Sequence, residues 1–162
     1  MTESKICSTS EARALIARWR TQEDQQVVFT NGCFDILHLG HVDYLEKASQ
    51  KGTKLVLGLN TDQSVSRLKG PSRPVVPEYA RARVMAALAF IDLVVFFNED
   101  TPLQLIQQLN PDVLVKGDDY QVNNIVGADH VIERGGKVET IPLVKGFSTS
   151  SIIEKISASK QG

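Results

Sequence analysis

The chain has 162 residues, of which 42% are hydrophobic and 23% are charged, and its formal net charge is −1. This composition predicts one globular domain with a sizeable core, and the lack of a long basic run argues against a nucleic-acid partner. Cys7 and Cys33 have neither CxxC nor disulfide-framework spacing, no secretory signal is evident, and no apolar run reaches the length of a membrane span. These features predict a cytoplasmic protein with no membrane partner.

Residues 1–25 are predicted to form a helix that packs on the main domain, residues 26–162. Ser8 and Glu11 have the spacing of a capping box, and apolar residues recur with helical spacing to about Arg20. A polar connection then leads into the first strand.

A strand, a helix and a second strand follow one another. The apolar run from Val27 to Thr30 predicts a buried strand, and helical periodicity begins at His41 after a glycine-containing turn. Gly52 is a candidate C-cap of this helix, and Leu55 to Leu59 predicts the next buried strand. This order predicts a parallel pair joined by a right-handed crossover.

The turn after the first strand has the features of an anion site. Gly32 lets the chain leave the strand sharply, and Gly40 keeps the first N–H groups of the helix open to a ligand. His38 and His41 are three residues apart at the helix start, so both imidazoles can point at one anion. The predicted ligand is a polyphosphate.

The rest of the chain alternates helices and strands around a loop at residues 69–74. Helices are predicted at residues 61–68, 77–90, 100–109, 127–134 and 148–157, and strands at 93–97, 113–116 and 138–143. This pattern predicts an α/β fold, a Rossmann-like doubly wound five-stranded parallel sheet with helices on both faces and ligands at the carboxyl ends of the strands. A G-x-G-x-x-G fingerprint is absent, which argues against NAD.

Three stretches carry glycine, charged and hydroxyl residues in a recognisable order. They are Gly32-Cys33-Phe34-Asp35 followed by His38-Leu39-Gly40-His41, then Lys116-Gly117-Asp118-Asp119-Tyr120, and then Gly146-Phe147-Ser148-Thr149-Ser150-Ser151-Ile152. Together they resemble the landmarks of the cytidylyltransferase-like nucleotidylyltransferases, over about residues 26–156. The resemblance implies that a sugar or alcohol phosphate attacks the α-phosphorus of a nucleoside triphosphate. Because that nucleophile is already ionised, the reaction needs positioning and charge neutralisation rather than a general base.

The resemblance also implies roles for individual residues. The implied catalytic residues are His38, His41 and Lys69. The implied nucleotide-binding residues are Asn31, Gly32, Cys33, Phe34, Asp35, Gly40, Lys116, Gly117, Asp118, Asp119, Phe147, Ser148, Thr149 and Ser150. The implied substrate-binding residues are Asn60, Asp62, Arg73 and Arg81. Mg²⁺ is expected to accompany ATP, with Asp35 and Asp118 as candidate ligands.

Each of these roles has an alternative. The histidine pair could have no task beyond packing, or it could join Cys33 as zinc ligands, for which no fourth ligand is evident. A lysine or arginine is most often part of a solvated surface. Asp118 and Asp119 could be turn residues, and Ser148 could simply cap the last helix.

Four stretches are similar to the adenylyltransferase domains of the ADP-heptose synthases. They are residues 31–38, 67–75, 99–102 and 111–117. The similarity implies adenylyl transfer from ATP to D-glycero-D-manno-heptose 1-phosphate. The arginine-led motifs of the glycerol-3-phosphate cytidylyltransferases are missing at Ala89 to Asp92 and at Leu143 to Lys145. The alternatives are a cytidylyltransferase that acts on glycerol 3-phosphate or another alcohol phosphate, and a nucleotide-binding regulator without turnover.

The expected partners are ATP and a sugar 1-phosphate. In many relatives this domain follows a sugar kinase, whereas about 25 residues precede it here. We therefore expect a heptose kinase that works with this domain to be a separate chain. A homodimer is also expected.

Overall fold

Six parallel strands form the sheet of this computed structural model, which describes residues 1–159. The strands are β1 (Ile6–Cys7), β2 (Val27–Gly32), β3 (Lys54–Asn60), β4 (Leu93–Phe97), β5 (Val113–Gly117) and β6 (Lys137–Ile141). The helices are α1 (Thr9–Gln22), α2 (Leu39–Ser49), α3 (Asp62–Lys69), α4 (Glu78–Ala86), α5 (Leu103–Leu109), α6 (Ala128–Glu133) and α7 (Thr149–Ser159), with short 3-10 helices at Thr2–Lys5 and Val122–Asn124.

Two apolar layers cover the sheet, one on each face. In the first layer, α1 and α5 bury Ile16 and Ile106 beside Phe29 of β2. In the second layer, α2 and α4 bury Leu45 and Met85. Because both faces of the strands are buried, the strands are nearly continuous apolar runs in the sequence. The predicted Rossmann-like α/β class with helices on both faces is confirmed.

The start of α1 has the predicted capping box. Ser8 Oγ accepts the N–H of Glu11 at 3.3 Å, and the Ser8 N–H donates to Glu11 Oε2 at 2.8 Å. These two bonds satisfy donors that the helix itself leaves free.

The two edges of the sheet differ from the sequence prediction. The sheet has six strands rather than five, because Ile6 pairs with Val94 at the edge of β4. A strand of two residues shows no periodicity, so the sequence contains no signal for it. At the other edge, β6 ends at Ile141 rather than at Leu143, since Pro142 has no N–H to donate to a ladder.

Helix α4 is shorter than predicted. It ends at Ala86 rather than at Phe90, and the N–H groups of Leu88 and Ile91 donate to carbonyls three residues earlier in the chain. These tight turns redirect the chain into β4 and bury Ile91. Among residues 1–159, no helix combines the length and the apolar character that crossing a membrane requires.

Strand β2 lies at the point where the strand order reverses. Across the sheet the order is β1-β4-β3-β2-β5-β6, so β2 has β3 on one side and β5 on the other, and every pairing is parallel. In open parallel sheets, ligands bind outside the carboxyl ends of the strands at such a reversal. The turn that leaves β2 is therefore in the position where a ligand site is expected.

Candidate active site

Two glycines shape the turn between β2 and α2. A Cβ atom on Gly32 would lie 2.7 Å from the ring of Phe34, and a Cβ atom on Gly40 would lie 3.0 Å from the ring of His38. His38 is the N-cap of α2 and makes no side-chain capping bond. The first N–H groups of a helix have no partner within it, and this end of the helix favours an anion.

The imidazole rings of His38 and His41 stack at this helix start. Their ring centroids are 3.7 Å apart with an interplanar angle of 26°. Within the described residues, Nδ1 of each histidine and Oδ1 of Asn31 are buried without a hydrogen-bond partner. Buried polar atoms are normally paired, so these three atoms indicate a site that a polar ligand completes.

Both imidazoles are neutral at pH 7. Burial, with a smaller contribution from His38, lowers the pKa of His41 to about 4. Burial also lowers the pKa of His38 below its ordinary value. A neutral imidazole carries a single N–H, so each ring can donate one hydrogen bond to a phosphate oxygen.

Asp35 fastens the loop after α3 to the same turn. Its carboxylate accepts a hydrogen bond from Nε of Arg73 at 2.6 Å. It also accepts hydrogen bonds from the N–H groups of Val75 and Val76 at 2.9 and 2.8 Å. Burial raises the pKa of Asp35, but these hydrogen bonds and the Arg73 charge outweigh it, so the pKa lies below its ordinary value. The sequence suggested a contact with phosphate or metal, whereas here both carboxylate oxygens anchor the loop.

Arg81 was expected to bind substrate, but the structure makes it part of the scaffold. Its buried guanidinium donates to the carbonyls of Val76 and Cys33 at 2.9 and 2.7 Å and to Oδ1 of Asp62 at 2.7 Å. It thereby joins the turn after β2, the loop after α3 and the start of α3. Neither Arg81 nor Asp62 lines the cleft described next. The Arg81 side chain is fully buried and cannot reach a substrate in this arrangement, whereas the carboxylate of Asp62 is 41% exposed and its expected substrate contact stays a prediction.

A cleft of about 700 Å³ opens over the carboxyl ends of the central strands. Residues from the turn, from the loop after α3, from the end of β5 and from the start of α7 meet in it. The predicted site residues that line it are Asn31, Gly32, Cys33, Phe34, Asp35, His38, Gly40, His41, Asn60, Lys69, Arg73, Lys116, Gly117, Asp119, Phe147, Ser148, Thr149 and Ser150. Segments far apart in the sequence therefore share one site, and their individual roles stay predictions.

Asp119 lines this cleft, whereas Asp118 is not among the lining residues. Oδ1 of Asp118 accepts the N–H of Leu143 at 3.2 Å, and the Asp118 N–H donates to the carbonyl of Ile141 at 2.9 Å. Asp118 thus serves as the turn residue that was its alternative interpretation. The nucleotide or metal contact expected of Asp118 stays a prediction, and Asp119 is the residue of the pair that lines the cleft.

The structure gives no support to the zinc alternative. Within residues 1–159, no three His, Cys, Asp or Glu side chains are grouped so as to hold a metal ion. Burial raises the pKa of the Cys33 thiol, an effect that nearby cations only partly offset. A protonated thiol is a poor metal ligand.

Ser148 caps α7 and also lies where its predicted nucleotide contact would be made. Its Oγ accepts the N–H of Ser151 at 3.1 Å, which caps α7, and the residue also lines the cleft. Phe147, 47% exposed, precedes it at the rim of the cleft. The start of α7 therefore presents hydroxyl groups and an aromatic face to the same cavity.

Lys116 places a cation in the cleft at the end of β5. Burial lowers the pKa of Lys116 to about 8, although Asp119 acts in the opposite direction. Its Nζ lies 5.5 Å from the ring centroid of Tyr120. Since a partly buried cation is stabilised by an anion, Lys116 favours a phosphorylated ligand.

Replacing Lys116 with methionine is expected to raise the free energy of unfolding at pH 7 by about 1–3 kcal/mol, because the charged form is destabilised by burial. The pKa of Lys116 is lower in the folded state than in the unfolded state. The destabilisation caused by the buried charge is therefore complete below pH 8 and disappears as the pH rises towards 10.5. Urea unfolding at pH 7 and pH 10 measures it, and nucleotide affinity should fall in the same variant. Lys137→Met, at an exposed position of β6, is the control; equal effects of the two changes would contradict the assignment.

Ten further residues line the cleft that the sequence did not mark as site residues. They are Tyr44, Leu68, Phe97, Asp100, Thr101, Pro102, Tyr120, Val126, Leu143 and Val144. Most of them lie in loops that the tertiary fold brings to the carboxyl edge of the sheet. Usable signals existed for residues 100–102, which come shortly after a predicted strand and therefore lie near this edge, and for Tyr120, Leu143 and Val144, which belong to or adjoin the family-like stretches.

A second cavity, of about 390 Å³, lies at the amino ends of β2, β5 and β6. Ion pairs already join Arg20 to Asp112 and Lys51 to Glu139 across its lining. It lies away from the turn after β2, and the unpartnered histidine atoms belong to the other cleft.

A parallel sheet with an anion-binding helix start at its reversal point defines a nucleotide-binding α/β protein. The chain belongs to the cytidylyltransferase-like family, whose model matches residues 29–158. This match confirms the predicted family and the predicted nucleotidyltransferase class of enzyme.

Two curated relatives cover nearly the whole chain. The chain is 58% identical over 156 residues to the bifunctional protein HldE of Magnetococcus marinus. The aligned region is 96% of this chain and 32% of that protein. It is 62% identical over 154 residues to the bifunctional protein HldE of Syntrophotalea carbinolica, with 95% and 31% covered. The chain spans about a third of the length of the curated relatives it matches.

Solved structures share the fold. The lipopolysaccharide core biosynthesis protein of Thermoplasma volcanium superposes with a TM-score of 0.60 at 26% identity, over 76% of this chain and 99% of that one. A pantothenate synthetase of Thermus thermophilus gives a TM-score of 0.61 at 17% identity, over 86% and 62% of the two chains. The second similarity concerns the fold alone.

Proposed function

We propose that the protein transfers the adenylyl group of ATP to D-glycero-D-manno-heptose 1-phosphate, giving ADP-heptose and pyrophosphate. The observation that carries this proposal is the pair of unpartnered imidazoles, His38 and His41, at the start of α2 in the cleft. The family supplies the class of reaction. The heptose substrate rests on the stretches similar to the ADP-heptose synthases.

In the proposed reaction, an oxygen of the sugar phosphate attacks the α-phosphorus of ATP. A new P–O bond forms as the bond between the α-phosphorus and the oxygen that bridges to the β-phosphate breaks, and its electron pair leaves with pyrophosphate. Negative charge grows on the α- and β-phosphate oxygens. The protein accelerates this step by positioning the two phosphates and by donating hydrogen bonds to that charge.

The donors fall into two groups. His41, His38 and the first N–H groups of α2 are neutral and fixed, so they can hold the α- and β-phosphates in the cleft without reorganisation. Lys116 and Lys69 are cations that line the same cleft from β5 and from the end of α3. We propose that Lys116 and Lys69 bind the triphosphate of ATP.

Mg²⁺ fits this site as an ion that arrives with ATP. Mg²⁺ is commonly held by one or two carboxylates and by substrate phosphates rather than by a protein cage, and the described residues contain no cage. Asp119 is exposed and lines the cleft, whereas the carboxylates of Asp35 and Asp118 have internal partners. Bound there, the ion would neutralise phosphate charge, and Asp119 would hold it.

We propose ATP rather than CTP as the nucleotide. The segment before α7 has Leu143-Val144-Lys145 in place of the arginine-led motif of the cytidylyltransferases. Leu143 and Val144 line the cleft beside Phe147, so this wall of the site is largely apolar. A base-specific hydrogen bond that is lost in a buried site changes binding by about 1–3 kcal/mol, which is enough to discriminate between bases.

We further propose that a heptose kinase supplies the sugar 1-phosphate. The curated relatives are called bifunctional and are about three times as long as this chain, so a second activity accompanies the matching segment in those proteins. A cytoplasmic location, where ATP is available, and a homodimeric state belong to the same proposal.

The test incubates the purified protein with Mg²⁺, each of the four nucleoside triphosphates and a panel of acceptors. The panel contains both anomers of the heptose 1-phosphate, glycerol 3-phosphate and ethanolamine phosphate, and the readouts are pyrophosphate release and product mass. We expect turnover with ATP and heptose 1-phosphate. If turnover occurs only with CTP and glycerol 3-phosphate, these are the substrates and the assignment to ATP and heptose 1-phosphate is wrong. If no pair of substrates releases pyrophosphate, the protein is a nucleotide-binding regulator without turnover.

A further inference from the structure

The cleft has two chemically different halves on either side of β2. On the β5 and α7 side, Lys116 supplies a cation, and Tyr120 and Phe147 supply exposed aromatic faces. A cation beside aromatic faces suits a phosphate and a base. The nucleotide is therefore best accommodated in this half.

The other half lies over the ends of β3 and β4. Its lining includes Asn60 at the end of β3, Phe97 at the end of β4, and Asp100, Thr101 and Pro102 in the loop that follows β4. Phe97 and Pro102 are buried and form an apolar wall, whereas Thr101 and Asp100 are exposed. This half thus combines an apolar surface with hydrogen-bonding groups.

The carboxylate of Asp100, whose side chain is 71% exposed, forms an ion pair with a residue outside the cleft. Nε of Arg67 donates to Oδ1 of Asp100 at 2.9 Å, and the same guanidinium donates to the carbonyl of Asn98. Arg67 does not line the cleft. An ionised carboxylate only accepts hydrogen bonds and can accept several, so Asp100 retains acceptor capacity towards the cleft. Because a carboxylate repels phosphate, the groups it suits are neutral hydroxyls.

The amide of Asn60 offers an acceptor in the same half. The residue is 3% exposed, and its Nδ2 donates to Ser64 Oγ at 2.9 Å while Ser64 Oγ donates to the carbonyl of Glu99 at 3.1 Å. This chain of bonds occupies the amide nitrogen and leaves Oδ1 as the group that can receive a hydroxyl hydrogen.

We propose that Asp100 and Thr101, together with Asn60, bind the hydroxyl groups of the phosphorylated acceptor, and that this acceptor is a polyhydroxylated molecule. Asp100 accepts hydrogen bonds from two neighbouring hydroxyls, Thr101 contacts a third, and the carbon skeleton lies against Phe97 and Pro102. The inference rests on the proposed function and names the residues that select its sugar. It places the acceptor on the β4 side and the nucleotide on the β5 side.

The test compares Asp100→Asn and Thr101→Val with the wild-type enzyme. Asp100→Asn should raise the Michaelis constant for heptose 1-phosphate about 10-fold or more, because a hydrogen bond to a charged group is lost. The Michaelis constant for ATP should stay within about twofold of the wild-type value, since the altered groups do not touch the nucleotide. Acceptor analogues that each lack one hydroxyl identify the contacts. Loss of the hydroxyl that the altered residue binds should raise the Michaelis constant of the wild type but leave that of the variant nearly unchanged.

Arg67→Gln is the matched control. It breaks the ion pair with Asp100 but leaves the carboxylate in the cleft, so we expect a clearly smaller change in the Michaelis constant for the acceptor. Equal changes in the two variants would overturn the proposal, because Asp100 would then act only by holding its loop. An unchanged acceptor constant in Asp100→Asn would also overturn it.

The wild-type measurements separate this inference from the proposed function. If the wild type releases no pyrophosphate with heptose 1-phosphate, the proposed function fails. Calorimetric titration with other sugar 1-phosphates and with glycerol 3-phosphate, at saturating non-hydrolysable ATP, then tests the inference by itself. Weaker binding of a sugar phosphate to Asp100→Asn than to Arg67→Gln would support it, and the absence of sugar phosphate binding by the wild type would overturn it.

Discussion

Replacing His41 with alanine is expected to lower turnover about 10²–10³-fold while the fold stays intact, because the change removes a donor aimed at charge that grows in the transition state. The ring of His41 leaves Nδ1 buried without a partner in the described structure, so the folded state loses no hydrogen bond from that atom. The binding constant for ATP should change less than turnover, since the donor acts mainly on the transition state. Steady-state rates and circular dichroism measure both parts.

His130→Ala is the control for this experiment. Nε2 of His130 lies 2.7 Å from Oδ1 of Asn110, and the residue is not part of the cleft lining. Its removal should leave turnover within about twofold of the wild-type value. Near wild-type turnover in His41→Ala, or an equal loss in both variants, would contradict a catalytic role for His41.

Arg81→Met should lower the free energy of unfolding by about 3 kcal/mol. The change leaves the carbonyls of Cys33 and Val76 without their donor, and each unsatisfied buried polar group costs about 1–3 kcal/mol. The carboxylate of Asp62 is 41% exposed, so water can solvate it and it adds little to the loss. Turnover should also fall, because the turn that carries the histidines would no longer be tied to the loop after α3.

Urea unfolding measures this effect, with Arg83→Met as the control. Arg83 lies on the same helix, and its half-exposed side chain pairs with Glu3 at 2.7 Å. Exposed ion pairs contribute about 0–1 kcal/mol, so the control should remain near the wild-type stability. A loss below about 1 kcal/mol in Arg81→Met would show that the turn and the loop are held by other contacts.

The fold was largely predictable because its signals are local. Val27 to Thr30 and Leu55 to Leu59 are continuous apolar runs, and strands buried on both faces require such runs. The edge of the sheet gave no such signal, because Ile6 and Cys7 form a strand only through their pairing with β4. The end of α4 depended in the same way on the burial of Ile91 against the core.

The site was predictable where one segment contains it and uncertain where several segments meet. Gly32, His38 and His41 lie within ten residues of one another, and their arrangement follows from one turn and one helix start. The partner of Asp35 is 38 positions away in the sequence, so periodicity could not reveal that its carboxylate anchors a loop. A choice between neighbouring residues such as Asp118 and Asp119 depends on how the chain turns after β5.

The bond network of Asp35 limits how much of the chain must become ordered when a triphosphate binds. Arg73, Val75 and Val76 are already fixed to Asp35, and Ser66 Oγ holds the carbonyl of Arg73 at 2.6 Å. Only residues 70–72 lie between α3 and this fixed segment. Immobilising a residue costs about 1–2 kcal/mol of conformational entropy. The four residues from Arg73 to Val76 therefore need no further ordering when a triphosphate binds, which avoids a cost of about 4–8 kcal/mol that a free loop would carry.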